Sequence, residues 1–280
     1  MSRIVCVHGI AQDYMSRESL LAIWTPALCG GVSNAGGRLD PVDVDMAFYG
    51  TLFRPEGGSA GAKGASILDY APGDLTDSLE IELLRDFYEC SRDSNGENAM
   101  TKGGIARTVA GMLQTVAKTP FFGGVAQKVV IRYLKQVSKY VGDPATRAEA
   151  RKAVIGVIRS DTTLLVGHSL GSVVAWEALC ANPELPVRTF ITIGSPLGVP
   201  ALLSRLNPSV DTRPGPWPAG ILRWVNIADG RDVVALEKCL ARVFGSKVDD
   251  YFVDNGATMH DVSPYLTSRE MGRAVTTALA

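Results

Sequence analysis

Short apolar runs alternate along this chain with longer stretches whose apolar residues recur at helical spacing. The runs fall at 4–7, 42–48, 163–166, 189–193 and 222–227, with a short piece at 251–253 suited to a sheet edge. Helical periodicity marks 16–28 after the first run, 170–180 after the third, and 263–279 at the end. Near-continuous apolar strands separated by helices predict a buried, mostly parallel, doubly wound sheet with helices on its faces, an α/β fold. No internal repeat and no domain linker interrupts residues 1–280, so a single domain is expected.

The alternation breaks between Phe53 and Asp161. A Gly-rich stretch, 57–64, opens the break and reads as a loop. Three helical segments follow at 75–92, 105–117 and 125–141, with Pro120 and Gly123-Gly124 separating the last two. Ile105, Val109, Met112, Leu113 and Val116 share one face; Val129, Val130, Tyr133, Leu134 and Val137 share another. Residues 54–160 are therefore expected to form a helical insertion, part of it a cap over the site. The apolar faces could instead simply cover the sheet or each other. Contact with lipid is a further option, although amphipathic helices are ordinary in globular proteins.

Composition narrows the class. The 280 residues are 46% hydrophobic, with 28 Lys+Arg against 29 Asp+Glu. No basic run points to nucleic acid. The five cysteines are scattered and lack C-x-x-C spacing, which argues against a disulfide framework or structural zinc and for a reducing compartment. Met1-Ser2-Arg3 leads straight into Ile4-Val5-Cys6-Val7, leaving no room for a secretory leader. No run reaches the length of a spanning helix. A soluble, cytoplasmic protein is the expectation.

Gly167-His168-Ser169-Leu170-Gly171 fits G-x-S-x-G, a string cheap enough to occur twice here, the second time at Gly57-Gly58-Ser59-Ala60-Gly61. Context separates them. Ser169 lies between a strand-like and a helix-like segment, as a nucleophile elbow requires, whereas Ser59 has neither flank. The flanking glycines let strand and helix approach around a strained serine. The turn also sets Ser169 at the positive end of a helix, with the Leu170 N–H able to meet an oxyanion.

A serine hydroxyl needs a base, and the chain has three histidines. His168 adjoins the serine and must point away from its hydroxyl. His8 ends the first strand, in His8-Gly9-Ile10. His260, in a loop before the final helix, remains as the candidate base. Gly9 permits a sharp turn that could aim a backbone N–H at the oxyanion, from Ile10 or, second, Ala11, with His8 in support.

The orienting carboxylate should follow a strand between Ser169 and His260. Trp224-Val225-Asn226-Ile227-Ala228-Asp229-Gly230-Arg231-Asp232-Val233-Val234 offers Asp232, followed by residues able to bury it, and Asp229, which reads as a turn former before Gly230. Asp254 is more remote.

Together, Ile4 through Ile10, Leu165 through Val174, Ile193-Gly194-Ser195-Pro196-Leu197-Gly198 and the Trp224–Val234 stretch resemble the lipase/esterase-like α/β-hydrolases, in particular bacterial proteins similar to the inositol-deacylase branch. The likeness covers roughly residues 1–50 and 160–280, and the motifs stand in the expected order. It implies an α/β-hydrolase fold and a serine-esterase mechanism with Asp232 as the acid. The chain lacks the H-G-G-G run of many esterases, and 53–161 matches no functional motif. The resulting expectation is a serine hydrolase cleaving a carboxylic ester through Ser169, His260 and Asp232, with Ile10 and Leu170 as oxyanion donors. No metal or organic cofactor is expected, and the partner is a small or lipid-like ester. The same residues would serve an acyltransferase, thioesterase or amidase. A silent binding module is the rival from another class. Nothing in the sequence speaks to oligomeric state.

Overall fold

A computed structural model describes residues 3–54, 70–94, 108–119, 127–256 and 259–280. The 57–64 loop with the Ser59 motif, the Pro120–Gly124 break, and Ile105 lie outside the described residues. Six strands form one sheet: β1 (Ile4–Val7), β2 (Val44–Ala47), β3 (Leu164–His168), β4 (Thr189–Ile193), β5 (Arg223–Asp229) and β6 (Val248–Val253). Their spatial order is β2-β1-β3-β4-β5-β6, and every pairing is parallel.

Strand pleating sorts the apolar side chains onto two faces. Ile4, Cys6, Leu164, Val166, Ile191, Ile193, Val225 and Ile227 point to one side. There they pack with Leu20, Trp24 and Leu28 of α1 (Arg17–Asn34), Tyr265 and Leu266 of α7 (Val262–Thr267) and Met271 of α8 (Arg269–Leu279). Val5, Val7, Leu165, Phe190 and Trp224 point to the other. They meet Ala150 and Val154 of α5 (Pro144–Val157) and Val173, Val174 and Trp176 of α6 (Leu170–Ala181). Helices on both faces of an all-parallel sheet make this a doubly wound α/β fold.

Several boundaries differ from the sequence reading. Residues 41–43 form a 3₁₀ turn, capped by Asp40, before β2 begins at Val44. The last helical stretch is two helices, because Ser268 ends one and caps the next by accepting from the Met271 N–H. Helix α5 was not foreseen. The β6 edge is a full six-residue strand.

Winding fixes where a ligand can enter. From β1 the chain crosses to β2 on one side, then returns past β1 to β3 and continues to β6. The carboxyl ends of the neighbours β1 and β3 thus mark the point where strand order reverses. Their connections leave toward opposite faces, the topological position where ligands bind in open α/β sheets. His8-Gly9-Ile10 and Ser169 follow these two ends.

The insertion supplies α2 (Ser78–Ser94), α3 (Val109–Ala117) and α4 (Gln127–Gly142). Leu79, Leu83, Leu84 and Phe87 of α2, Met112, Leu113 and Val116 of α3, and Val130, Tyr133, Leu134 and Val137 of α4 share one buried cluster. Val199, Leu202, Val233 and Val234, from the connections after β4 and β5, complete it. Val129, expected on the buried face, is instead exposed. Among the described residues, no helix is long and apolar enough to cross a membrane.

Candidate active site

Ser169 stands between β3 and α6 with φ 53° and ψ −132°. A non-glycine residue there is strained by on the order of 1–3 kcal/mol and persists only where its surroundings fix it. The fixing contacts are visible. The Ser169 N–H donates to the Ile193 carbonyl at 3.1 Å. Ser172 Oγ donates to the Ser169 carbonyl at 2.6 Å and meets Ser195 Oγ at 2.7 Å. The elbow glycines are required by space: a Cβ on Gly167 would lie 2.6 Å from Ser172 Cα, and one on Gly171 would lie 2.3 Å from the His8 carbonyl oxygen.

The Ser169 hydroxyl is buried. Leu170 opens α6, and the first N–H groups of a helix have no acceptor within it.

Asp232 and His260 come together beside the elbow. His260 Nδ1 lies 2.7 Å from Asp232 Oδ2. Tyr265 Oη also donates to Oδ2, at 2.9 Å, while the Val234 and Ala235 N–H groups donate to Oδ1 at 2.9 and 3.4 Å. Burial alone would push this carboxyl up; His260, the Lys238 ammonium and the Val234 amide outweigh it and hold the group below the usual carboxylate range. Gly194, at φ +52°, makes room for the pair, since a Cβ there would lie 2.9 Å from Asp232 Oδ2 and 3.0 Å from His260 Nδ1.

Asp229 has a different task. Its Oδ1 accepts from the Arg231 N–H at 2.7 Å and its Oδ2 from the Asn255 N–H at 2.5 Å. Asn255 Nδ2 in turn donates to the Met259 carbonyl at 3.0 Å, so Asp229 braces the loop that delivers His260. Asp254 is exposed and pairs with Arg231.

The other two histidines are structural. His168 Nε2 donates to the His260 carbonyl at 2.9 Å, and the two rings lie 4.7 Å apart. Burial and the neighbouring His260 lower its pKa to about 3, so the ring is neutral. His8 donates from Nδ1 to the Gly9 carbonyl at 2.6 Å and accepts the Tyr49 N–H on Nε2 at 3.1 Å. Burial lowers its pKa to about 4.

The loop after β1 meets the elbow directly. A Cβ on Gly9 would lie 2.8 Å from Ser169 Cβ, so the residue before Ile10 rests against the serine. Ala11, the second-choice donor, gives its N–H to Gln136 Oε1 at 2.8 Å. Ile10 is therefore the donor candidate that remains in this loop.

Sequence reasoning missed Tyr133. It counted this residue only as part of an apolar helix face, yet the phenol is buried facing the Ser169 hydroxyl, with Asp232 close enough to be felt. Burial is the main reason its pKa rises well above that of free tyrosine, and Ser169 tempers the rise. Its ring packs edge-on against Phe87 at 5.7 Å. A phenol within the aliphatic periodicity of α4, which also carries Tyr140, was the local signal.

No family model, curated protein or solved structure matches the chain.

Proposed function

We propose that the chain is a serine hydrolase of the lipase/esterase-like α/β-hydrolase type, acting on a carboxylic ester. The observation that carries this reading is the meeting of a strained, buried serine with an Asp–His pair at the sheet's switch point. A hydroxyl held this way has little structural value. It has chemical value if a neighbouring imidazole can remove its proton.

Ser169 Oγ attacks the ester carbonyl while His260 Nε2 takes the hydroxyl proton; the new C–O bond turns the carbonyl oxygen into an oxyanion. The Ile10 and Leu170 N–H groups receive that charge. Collapse breaks the ester C–O bond, and the leaving alkoxide takes the proton back from His260. Water, deprotonated by His260, then releases the acid and restores Ser169. Asp232 holds His260 in the tautomer with its proton on Nδ1 and stabilises the imidazolium.

In this reading α2, α3 and α4 form the cap, since their buried cluster includes the connections after β4 and β5 and the phenol facing Ser169. The aliphatic composition of the cluster supports an ester with an apolar acyl or alkyl group. None of the five cysteines is in a disulfide, which suits the cytoplasm. The test is hydrolysis of p-nitrophenyl esters from acetate to decanoate. Turnover that disappears in Ser169→Ala supports the reading; equal turnover in that variant overturns it. Competing alcohol, thiol or amine acceptors in the same assay separate hydrolysis from acyl transfer.

A further inference from the structure

We propose that Gln136 of α4 is a positioning residue for the oxyanion loop, so that the insertion is a working part of the site. The inference rests on the functional reading above.

Among the described residues, Ser169 and Ala11 are the two non-glycine residues with positive φ, and both lie at the site. Ala11, at φ 61°, has no side chain with which to hold that conformation. Helix α4 holds it. The Ala11 N–H can only donate, so the acceptor Oε1 of Gln136 must face it, at 2.8 Å. The amide nitrogen is thereby turned toward Asp13, whose Oδ1 accepts from Nε2 at 3.3 Å. One turn earlier on α4, Arg132 pairs with the same carboxylate oxygen, and Arg54 Nε donates to the Asp13 carbonyl at 2.6 Å.

The rest of α4 is equally fixed. Tyr140 Oη donates at 2.7 Å to Glu177, a buried carboxylate of α6 that also takes the Arg147 guanidinium and the Asn207 N–H. The helix is thus tied to the elbow helix at its end and to the loop after β1 in its middle. Ile10 lies between the core and the insertion cluster and touches both. The peptide joining Ile10 to Ala11 carries the N–H that Gln136 holds, and the Ile10 N–H belongs to the adjoining peptide, one Cα away, so fixing the first plane restricts the second. An amide suits the clamp, because it offers an acceptor for Ala11 and a donor for Asp13 side by side. Displacing α4 would release the loop, so the cap must be seated for the oxyanion donor to be aimed.

The experiment compares wild type with Gln136→Met, which keeps length and volume but loses both bonds. Both are assayed on p-nitrophenyl butyrate, with urea unfolding alongside. The expected result is a fall in kcat on the order of 10²-fold, since a displaced donor costs most in the transition state. KM should stay within about threefold, while the urea midpoint falls modestly because two partners lose a bond. A merely structural residue would move the midpoint and leave kcat of the folded fraction unchanged. If Gln136→Met does not fold, Gln136→Asn, one methylene shorter, takes its place with the same expectation. Ser169-dependent turnover that keeps its full kcat in either folded variant overturns the inference alone. A wild-type chain without Ser169-dependent turnover overturns the functional reading and the inference with it.

Discussion

His168 donates its Nε2–H to the backbone carbonyl of His260, 92 positions away, at 2.9 Å. The residue before the nucleophile thus anchors the loop that carries the base, and one peptide step couples the elbow to the Asp–His pair. Only the neutral ring in one tautomer makes this contact while leaving Nδ1 unprotonated, and burial keeps the ring neutral.

Removing that anchor should cost activity without removing any reacting group. His168→Phe is expected to lower kcat on the order of 10²-fold, because small displacements of a base are expensive. Circular dichroism should show a folded protein. Full activity in the folded variant would show that the loop needs no help from His168.

The two aspartates on either side of Gly230-Arg231 should separate cleanly. Asp232→Asn is expected to reduce kcat by about 10⁴-fold by favouring the wrong histidine tautomer. Asp229→Asn leaves the pair intact and weakens two backbone hydrogen bonds, so it should cost about 1–3 kcal/mol of stability. Kinetics and urea unfolding of both variants check this, and a reversal of the two outcomes would reassign the acid.

Tyr133→Phe removes one hydroxyl from the space in front of Ser169. If the phenol donates to the bound ester, kcat/KM should fall about tenfold with little change in fold. A substrate series is the better measurement than a single ester, because a purely steric role would shift the preferred chain length and spare the best substrate.

Acid should destabilise the fold earlier than its carboxylates alone would dictate. His8 and His168 are held at about 4 and about 3, both below the ordinary 6.5. From about pH 6.5 down to about pH 4 the unfolded chain binds protons that the folded chain refuses, so stability falls as pH falls. Each ring contributes a slope of up to about 1.4 kcal/mol per pH unit in that window. Asp232, whose pKa is lowered, adds its loss only below the ordinary carboxylate range. Urea midpoints measured from pH 7.5 to 4.5 should decline from about pH 6.5, more gently in His168→Gln. A flat profile to pH 5 would contradict the buried, neutral assignment.

What the sequence made legible was local. Strands β1 and β4 stand at the expected residues because continuous apolar runs bounded by Gly or polar residues have few alternatives. The elbow was readable because Gly167 and Gly171 answer to close backbone approach. Helix α5 went unseen, although Asp143 capping the Ala145 and Thr146 amides and Pro144 in the first turn are ordinary start signals. Its moderate amphipathicity hid it behind the stronger pattern of α4. Tyr133 and Gln136 could not be placed at the site from spacing, because their partners Ser169, Ala11 and Asp13 come from other elements far along the chain. Asp232 was preferred to Asp229 only on its apolar successors and on the glycine that follows Asp229. Their different roles depend on where β5 ends, which decides which carboxylate turns toward His260.

The central claim is that Ser169 is an activated nucleophile, and covalent labelling tests it most directly. The folded wild-type chain should react with a fluorophosphonate, adding one phosphonyl group that peptide mass spectrometry locates on Ser169, and Ser169→Ala should not react. A folded wild type that stays unlabelled, or a label that persists in Ser169→Ala, would contradict the account.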